Sequence, residues 1–420
     1  MIRIYKVACL SILAMVLAWG QFSCKKTDGY NTVVSTDKTK PGPVTNVKVV
    51  NFSGGAYLTY TLPNSANILY VQANYMINGT TSRQTKSSYY SDSITVAGFA
   101  KSQDYTVTLY VVSRAEVKSD SVVVTVHPGT PPYLLALPTI KMVPDFGGVN
   151  ISGSNNTGAS IGVILIGPDS TNKLQIIDQN YTNADSLNYS IRGYDTIPKQ
   201  FGIYVTDQWG NISDTVYATI KPIYEVEMNK SLFNAYVLPS DVVPYDSYRG
   251  VQNLWDNNIN EPTYNTQQPI TPLVWPSWVT FDMGQAAKLS RFNMVGRTGD
   301  SGPGEFLWGY GTPQTFVLWG RADMPVDQNM PDSTGLPPVG QATSNGWINL
   351  GEFYSPPKPS GLPNPQFTPA DLTYWRAGFP FNFSLSLPKV RYIRFECLTN
   401  MGGTNNFFDI NELTFFGDPR

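Results

Sequence analysis

The side chains that most often carry acid–base and nucleophilic chemistry are nearly absent from this sequence. Histidine supplies most catalytic acids and bases near neutral pH, and the 420-residue chain has one, His127. It precedes Pro128 at the end of a predicted strand, which is the position of a surface or linker residue. A Ser-His-Asp triad and a histidine-rich zinc site are therefore excluded.

Paired carboxylates would be the remaining catalytic device, because glycoside hydrolysis needs two acidic residues and no histidine. The acidic residues of the C-terminal half lie in separate loops or strand ends, and no motif singles out a pair. They are Asp241, Asp246, Asp256, Glu261, Asp282, Asp300, Glu305 and Glu352. We therefore expect a protein that is not an enzyme, with glycoside hydrolysis as the least favoured alternative.

Aromatic and amide side chains in the C-terminal loops point to ligand binding instead. Aromatic faces pack against the C–H groups of sugars, while Asn, Arg and Asp fix the orientation of hydroxyl groups. The candidate ligand-binding residues are Tyr264, Trp275, Arg297, Trp308, Tyr310, Asn400, Asn405 and Asn406. Trp347 lies in a similar Gly/Pro-rich stretch. For each of them, ordinary packing of a loop is the alternative.

Composition favours a β-rich chain with a neutral ligand. Aromatic residues make up 13% of the chain, and 35 glycines and 32 prolines supply many turns. Charged residues reach 14%, against about 25% in an average soluble protein. The net charge of −2 gives no field that would hold a polyanion, so we expect no binding of nucleic acid.

The first segment, residues 1–24, is typical of a bacterial export signal. Arg3 and Lys6 form a basic end, and the apolar run that follows is too short to remain as a membrane helix. A small residue precedes Cys24, which resembles a relaxed lipobox and predicts lipidation of Cys24. An ordinary secretory signal with an incidental cysteine is the alternative. Residues 25–40 lack apolar periodicity and are expected to form a flexible tether.

Two segments that follow the tether, residues 41–128 and 129–223, resemble each other at both ends. Each opens as a strand, a Gly-Gly turn and a second strand, and each closes with two short strands around a polar turn, followed by proline. Alternating apolar and polar residues between turn signals predict two tandem β-sandwiches of the immunoglobulin or fibronectin type III kind. Since Cys9 lies in the export signal and Cys397 has no partner in the mature chain, neither a disulfide framework nor a Cys-rich metal site is expected.

Residues 224–420 carry longer loops between short apolar strands. Six blocks follow in order: LWDNN at 254–258, WVTFDMG at 278–284, KLSRFNM at 288–294, TFVLWG at 315–320, VRYIRF at 390–395 and FDINELTFFG at 408–417. This series resembles the coagulation-factor type C, or discoidin, domain, an eight-stranded β jelly roll that also serves as a carbohydrate-binding module. The resemblance implies that the loops with the candidate ligand-binding residues meet at one end of the jelly roll.

The resemblance also implies a structural calcium site. Such modules commonly have an Asp-Gly turn and a C-terminal Glu that supply oxygen ligands, which suit calcium. Asp256 and Glu412 occupy these places, although Asn257 stands where the family has glycine; Thr263 and Asn411 are neighbours by analogy. The alternative is that Asp256 caps a turn and that Glu412 pairs with an arginine.

The whole arrangement resembles Bacteroidetes surface lipoproteins of outer-membrane glycan-uptake systems. This resemblance implies a lipid anchor in the outer membrane, exposure to the cell exterior, and a glycan or polysaccharide as ligand of the discoidin-like domain. Partners would be an outer-membrane transporter and surface glycan-binding proteins. The alternative is a non-catalytic scaffold that binds an outer-membrane protein, for which the predicted insertions at 324–338 and 354–375 could provide the surface.

The lipid anchor gives a first testable prediction. Cys24→Ala should release the protein from the membrane fraction of cells, because the acyl chains attached to Cys24 would be its only membrane anchor. Fractionation followed by immunoblotting measures the distribution, with Ser23→Ala, which keeps a small residue before the cysteine, as the matched control. Lipid anchoring is wrong if the Cys24→Ala protein sediments with membranes as the wild type does.

Overall fold

The computed structural model describes residues 35–267, 275–299, 302 and 304–420. The export signal, Cys24 and most of the predicted tether lie outside the described residues. Among the residues that are described, no helix is long and apolar enough to cross a membrane. Strands dominate the chain and the helices are short, so the prediction of an all-β protein is confirmed.

The first sandwich packs a three-stranded sheet, ordered β1-β2-β5, on a four-stranded sheet, ordered β4-β3-β6-β7. Alternate residues of each strand point into a core that holds Leu58, Val71 and Leu109 at full burial. Its strands are β1 (Thr45–Phe52), β2 (Gly55–Thr61), β3 (Ile68–Met76), β4 (Ser82–Ser88), β5 (Ser93–Ala97), β6 (Tyr105–Ser113) and β7 (Val122–Val126).

The second sandwich repeats this plan with sheets ordered β12-β9-β8 and β11-β10-β13-β14. Val163, Leu165 and Phe201 lie at the centre of its core. Its elements are α1 (Pro132–Ala136), β8 (Lys141–Asp145), β9 (Gly148–Ser154), β10 (Ile161–Pro168), β11 (Leu174–Thr182), β12 (Ser186–Arg192), β13 (Lys199–Asp207) and β14 (Val216–Ile220). The prediction of two tandem sandwiches is confirmed.

Specific contacts join the two sandwiches. Asn211 donates a hydrogen bond from Nδ2 to the carbonyl oxygen of Gly98 at 2.9 Å, and Asn78 donates one to Oδ1 of Asn211 at 3.1 Å. The ring of Trp209 lies so close to Gly98 that a Cβ there would come within 2.9 Å of it. Glycine is therefore required for this close approach of the two units.

The C-terminal sandwich is built on one long strand, β18, that takes part in both of its sheets. Residues 277–282 pair with β22, and residues 288–295 pair with β24. The strand turns between them at Gly284, whose φ of 75° is in the left-handed region. The elements are β15 (Val226–Glu227), β16 (Asn234–Ala235), β17 (Tyr264–Asn265), β18 (Ser277–Val295), β19 (Pro313–Arg321), β20 (Ile348–Tyr354), α2 (Pro369–Ala377), β21 (Phe379–Asn382), β22 (Val390–Asn400), β23 (Asp409–Ile410) and β24 (Glu412–Asp418).

A phenylalanine-rich core fills the space between these sheets. Phe281, Phe292, Phe316, Phe395 and Phe415 are all fully buried there. Such rings bury a large apolar area in a defined geometry. The core therefore fixes the strand ends from which the loops with the candidate ligand-binding residues emerge.

The segment that follows β19 closes over the outer face of its sheet. Met330 and Trp347 pack there against Trp319 in a second buried cluster. Arg394 lies inside this cluster with no exposed surface, and its Nη2 is 3.2 Å from carboxylate oxygens of both Asp241 and Asp327. The predicted insertion at 324–338 is thus largely a cover for this face, and Trp347 is core rather than an open-loop ring.

The second predicted insertion, 354–375, contains most of a helix that sequence patterning did not reveal. Helix α2 begins with a capping box in which Thr368 and Asp371 bond each other's backbone N–H groups. Its Trp375 is fully buried and donates a hydrogen bond to the carbonyl oxygen of Gly296 at 3.0 Å. The helix therefore supports the end of β18.

Glu396 is a buried acid whose charge the fold opposes. Glu396 is fully buried, and its Oε2 accepts a hydrogen bond from Trp319 Nε1 at 2.7 Å. Loss of hydration raises the pKa of Glu396 to about 8, against the lowering effects of Trp319 and Arg394. The folded state therefore keeps a proton on Glu396 over a pH range in which the unfolded chain releases it.

This shift predicts a pH dependence of stability. Between pH 4.5, the ordinary pKa, and about 8 the folded state binds more protons, so the free energy of unfolding falls as pH rises. Glu396→Gln cannot release a proton, so its stability relative to the wild type should increase by up to about 1.4 kcal/mol per pH unit in this window.

Urea unfolding followed by tryptophan fluorescence at pH 5 and pH 8 measures this difference. The matched control is Glu352→Gln, because Glu352 is an exposed strand glutamate of the same sandwich. A pH-independent difference between Glu396→Gln and the wild type would show that Glu396 is ionised in the folded state.

Candidate ligand-binding site

Three loops meet at one end of the C-terminal sandwich. Their described residues are 256–263, 296–299, 304–312 and 401–408, and they lead into or out of β17, β18, β19, β22 and β23. Backbone bonds join the second loop to the third, from Met401 N to the oxygen of Thr312 at 2.8 Å and from Asp409 N to the oxygen of Gly311 at 3.0 Å. Asn411 Nδ2 donates to the oxygen of Ile259 at 2.7 Å and so fastens the first loop.

Arg297 lies at the centre of this loop cluster. Only 2% of its surface is exposed, so its charge must be compensated within the protein. Its Nε donates to Oε1 of Glu261 at 2.8 Å, and its Nη1 lies 3.9 Å from Oδ2 of Asp409. The guanidinium carbon is also 4.9 Å from the ring centre of Phe306 and 5.5 Å from that of Tyr310, which is cation–π geometry.

Tyr310 is fixed on several sides while its ring remains partly exposed. The ring stacks on Phe306 at 4.3 Å and meets Phe407 edge-on at 4.9 Å. Its hydroxyl donates a hydrogen bond to Oε1 of Gln267 at 2.6 Å. Phe306 and Gln267 are partly exposed as well, so the three side chains form an aromatic and amide surface above Arg297.

The backbone of these loops is strained. Asn257, Trp308, Tyr310 and Asn405 have φ values of 63°, 51°, 56° and 47°. This left-handed conformation is tolerated by asparagine but is uncommon for bulky aromatic residues. Backbone strain of this kind clusters at functional sites, where surrounding contacts hold it in place. Here the contacts of Tyr310 with Phe306, Phe407 and Gln267 provide that hold.

Two of the rings predicted from sequence to be exposed are buried, so that expectation is wrong for them. Tyr264 is fully buried because β17 pairs with β23, which presses its ring against Phe408. Trp308 is 7% exposed; it packs on Trp375 at 4.8 Å and donates to the oxygen of Pro356 at 2.8 Å. Both rings thus belong to the main hydrophobic core of the sandwich, which loop composition alone does not reveal.

The remaining predicted residues divide between support and surface. Asn400 is 1% exposed and uses its side-chain amide to bond Thr404 and the oxygen of Phe407. Asn405 accepts a hydrogen bond from the backbone N–H of Asn400 at 2.9 Å. Trp275 is partly buried and donates to the oxygen of Leu398 at 2.7 Å. Asn406 is exposed, whereas Asn405 is partly exposed and Asn400 is buried.

Sequence reasoning missed Phe306 and Gln267. Phe306 lies four residues before Tyr310 in the same Gly-rich stretch, and that proximity was the available signal. Gln267 is 43 residues from its partner Tyr310, and no local pattern relates them. The predicted core rings Trp255, Trp278 and Trp319 are buried as expected.

An ammonium group occupies the centre of the predicted calcium ligands. Lys230 Nζ donates to Oε1 of Glu412 at 2.7 Å, to Oγ1 of Thr414 at 2.8 Å and to Oδ1 of Asn257 at 2.9 Å. Asp256 accepts from the backbone N–H of Asn258 at 2.8 Å and so caps its turn. Asn257 has a positive φ of 63°, a conformation that asparagine tolerates.

This donor set, as arranged, does not fit a divalent cation. All three ammonium hydrogens of Lys230 have oxygen partners, and a calcium ion at the same place would meet like charge. Burial raises the pKa of Glu412 to about 7, although Lys230 opposes that rise. In the described residues there is no group of three or more His, Cys, Asp or Glu side chains placed to hold a metal. A calcium ion could therefore occupy the predicted site at Asp256 and Glu412 only if Lys230 left it.

Replacement of Lys230 tests this arrangement. We expect the melting temperature of the wild type to be insensitive to millimolar calcium after chelation. Lys230→Ala should be destabilised, because removing one partner of a buried ion pair costs about 3–5 kcal/mol, and calcium should restore part of that loss by binding the native state. Differential scanning calorimetry measures both effects, with the exposed Lys389→Ala as control. If calcium raised the melting temperature of the wild type, the conclusion that the Lys230 ammonium group occupies the place of a calcium ion would be wrong.

Three family models match consecutive parts of the chain, and each is described as a domain of unknown function. The matched residues are 41–128 for DUF4959, 129–231 for DUF5126 and 255–417 for DUF5000. No curated protein matches the chain.

Several solved structures are similar to parts of the chain. The SusE-like protein BT2857 is 28% identical over 69% of this chain and 100% of its own length, with a TM-score of 0.41. The C-terminal domain of a chitobiase from Bacteroides fragilis is 15% identical over 46% of this chain and 97% of its own, with a TM-score of 0.28. The fn3 domain of the human collagen alpha-1(XX) chain is 15% identical over 23% and 93%, with a TM-score of 0.20.

Proposed function

We propose that this chain is a non-catalytic surface lipoprotein of the outer membrane that binds a neutral glycan, in support of polysaccharide capture and uptake. Binding takes place at the loop cluster of a discoidin-like C-terminal domain. The observation that carries the proposal is Tyr310, a partly exposed ring held in a left-handed backbone conformation above a buried arginine. A ring fixed in this way loses little conformational freedom when a sugar packs against it.

The charge balance of the site supports a neutral ligand. Arg297 is paired with Glu261 at 2.8 Å and lies near Asp409, so the positive charge beneath the aromatic surface is compensated. An anionic ligand would have to compete with those carboxylates for the guanidinium. Hydroxyl groups of a sugar need only donors and acceptors of the kind that Gln267 and Asn406 provide.

The same pairing supports binding rather than hydrolysis. A retaining or inverting glycosidase places two carboxyl groups on either side of the scissile bond. Glu261 and Asp409 instead contact Arg297, and Asp409 has no exposed surface. The sole histidine, His127, is exposed in the first sandwich, where its Nδ1 lies 2.7 Å from Oδ1 of Asp104. It takes no part in the C-terminal site.

Affinity electrophoresis of the full chain tests the proposal. The gels contain amylopectin, xylan or galactomannan as neutral probes and chondroitin sulfate as an anionic probe. The wild type should be retarded by at least one neutral polysaccharide, with a dissociation constant of about 1 μM to 1 mM for a shallow site. Tyr310→Ala should weaken that retardation at least tenfold.

Matched variants separate the site from general effects. Tyr354→Ala removes a 60% exposed ring of the same sandwich that lies on β20, outside the three loops, and it should bind as the wild type does. Phe306→Ala should weaken binding, since Tyr310 stacks on Phe306. Retardation by chondroitin sulfate alone, or equal retardation of Tyr310→Ala and wild type, would rule out this site for neutral glycans.

A further inference from the structure

The outer face of the four-stranded sheet in the second sandwich is free of charged side chains. Strand register assigns alternate residues of β10, β11, β13 and β14 to this face, and none of these is Asp, Glu, Lys or Arg. The same strands do contain the charged residues Asp178, Lys199 and Asp207, but the register assigns all three to the opposite face of the sheet. Solvated sheet faces are usually polar and edge strands often carry charged side chains, so a face without any charge calls for a reason.

Three tyrosines cross this face on a diagonal. Tyr181 on β11 lies opposite Gly162 of β10, and Tyr217 on β14 lies opposite Gly202 of β13. Tyr204, on β13 and opposite Ile164, falls between the two rows. Tyr181 is 67% exposed and Tyr217 is 52% exposed. Four residues of strand separate the outer rows, which is about 13 Å.

Glycines hold the two outer rings against the sheet. A Cβ on Gly162 would lie 2.7 Å from Cε1 of Tyr181, and a Cβ on Gly202 would lie 2.7 Å from Cε1 of Tyr217. Each tyrosine ring therefore lies across the neighbouring strand over a glycine, which leaves room for the ring because it has no side chain. Tyr–Gly pairs across strands also stabilise sheets, but sheet stability alone does not require the rest of the face to be uncharged.

The first sandwich offers an internal comparison, because its β4-β3-β6-β7 sheet has the same order. There Lys86 Nζ lies 4.2 Å from the ring centre of Tyr70, and Lys118 Nζ lies 5.2 Å from that of Tyr110. By strand register Lys86 takes the place that Gln179 has in the second sandwich. The two repeats thus differ: lysines cover the tyrosine rings of the first sandwich, whereas no lysine covers those of the second.

We propose that the tyrosine diagonal of the second sandwich binds a neutral oligosaccharide. The rows of Tyr181 and Tyr217 lie about 13 Å apart along the strands, so the ligand must have several sugar residues, whose C–H faces pack on the two rings. Tyr181 donates its hydroxyl hydrogen to Oε1 of Gln179 at 3.0 Å, which orients the Gln179 amide N–H groups for hydroxyl acceptors. The absence of charge from the face matches a neutral ligand and gives an anionic one no partner. This site is separate from the C-terminal loops and does not depend on them.

The test uses the full chain with Tyr310→Ala as background, so that the C-terminal site does not contribute. Affinity gels contain amylopectin, xylan or galactomannan. The first variant adds Tyr181→Ala and Tyr217→Ala together. The second adds Gln179→Lys, which places on this face the charge that Lys86 gives the first sandwich and leaves both rings in place. Tyr110→Ala in the first sandwich is the matched control, and thermal unfolding checks that each variant folds.

We expect at least one neutral polysaccharide to retard the background protein. The tyrosine double variant should weaken that retardation at least tenfold, Gln179→Lys should weaken it as well, and Tyr110→Ala should leave it unchanged. Absence of retardation by every probe, or equal retardation of all variants, would overturn the proposal. The alternative is that a second copy of the chain binds this face, and sedimentation velocity tests it. A dimer that dissociates in the Gln179→Lys variant would show self-association through this face and overturn the glycan site.

Discussion

The need to compensate one buried guanidinium organises the proposed ligand-binding end of the C-terminal sandwich. Burying the charge of Arg297 costs several kcal/mol unless partners surround it, and its partners come from different parts of the chain. Glu261 lies in the first loop, Phe306 and Tyr310 in the second, and Asp409 in β23. The ion pairs and ring contacts of one side chain thereby hold loops that have no regular secondary structure of their own.

Sequence patterning predicted the strands and their order well, because alternation of apolar residues reports directly on which face is buried. Rings within strand blocks, such as Trp319, are core for the same reason. Rings in loops were harder to predict: Trp308 joins the main core, and Trp347 lies in a second cluster on the outer face of the sheet. The role of Lys230 depends on Glu412, which is 182 residues away, and no local pattern contains that contact.

The two proposed binding surfaces use the same chemistry on different supports. At the C-terminal loops a strained backbone and a buried arginine fix the ring of Tyr310, whereas in the second sandwich glycines fix the rings of Tyr181 and Tyr217. Glu225 joins the two units, because it contacts Arg192 of the second sandwich at 3.8 Å and Arg291 of β18 at 3.1 Å. Two modest sites on one chain gain avidity for a long polysaccharide when both can be occupied at once.

Hydrogen–deuterium exchange of the full chain, with and without the neutral polysaccharide that retards it most, tests the central claim most directly. Binding at the C-terminal loops predicts slower exchange in peptides that cover residues 304–311 and 400–408, with little change in the first sandwich. Unchanged exchange in both of these peptides, together with protection elsewhere in the C-terminal sandwich, would contradict a glycan site built around Arg297 and Tyr310.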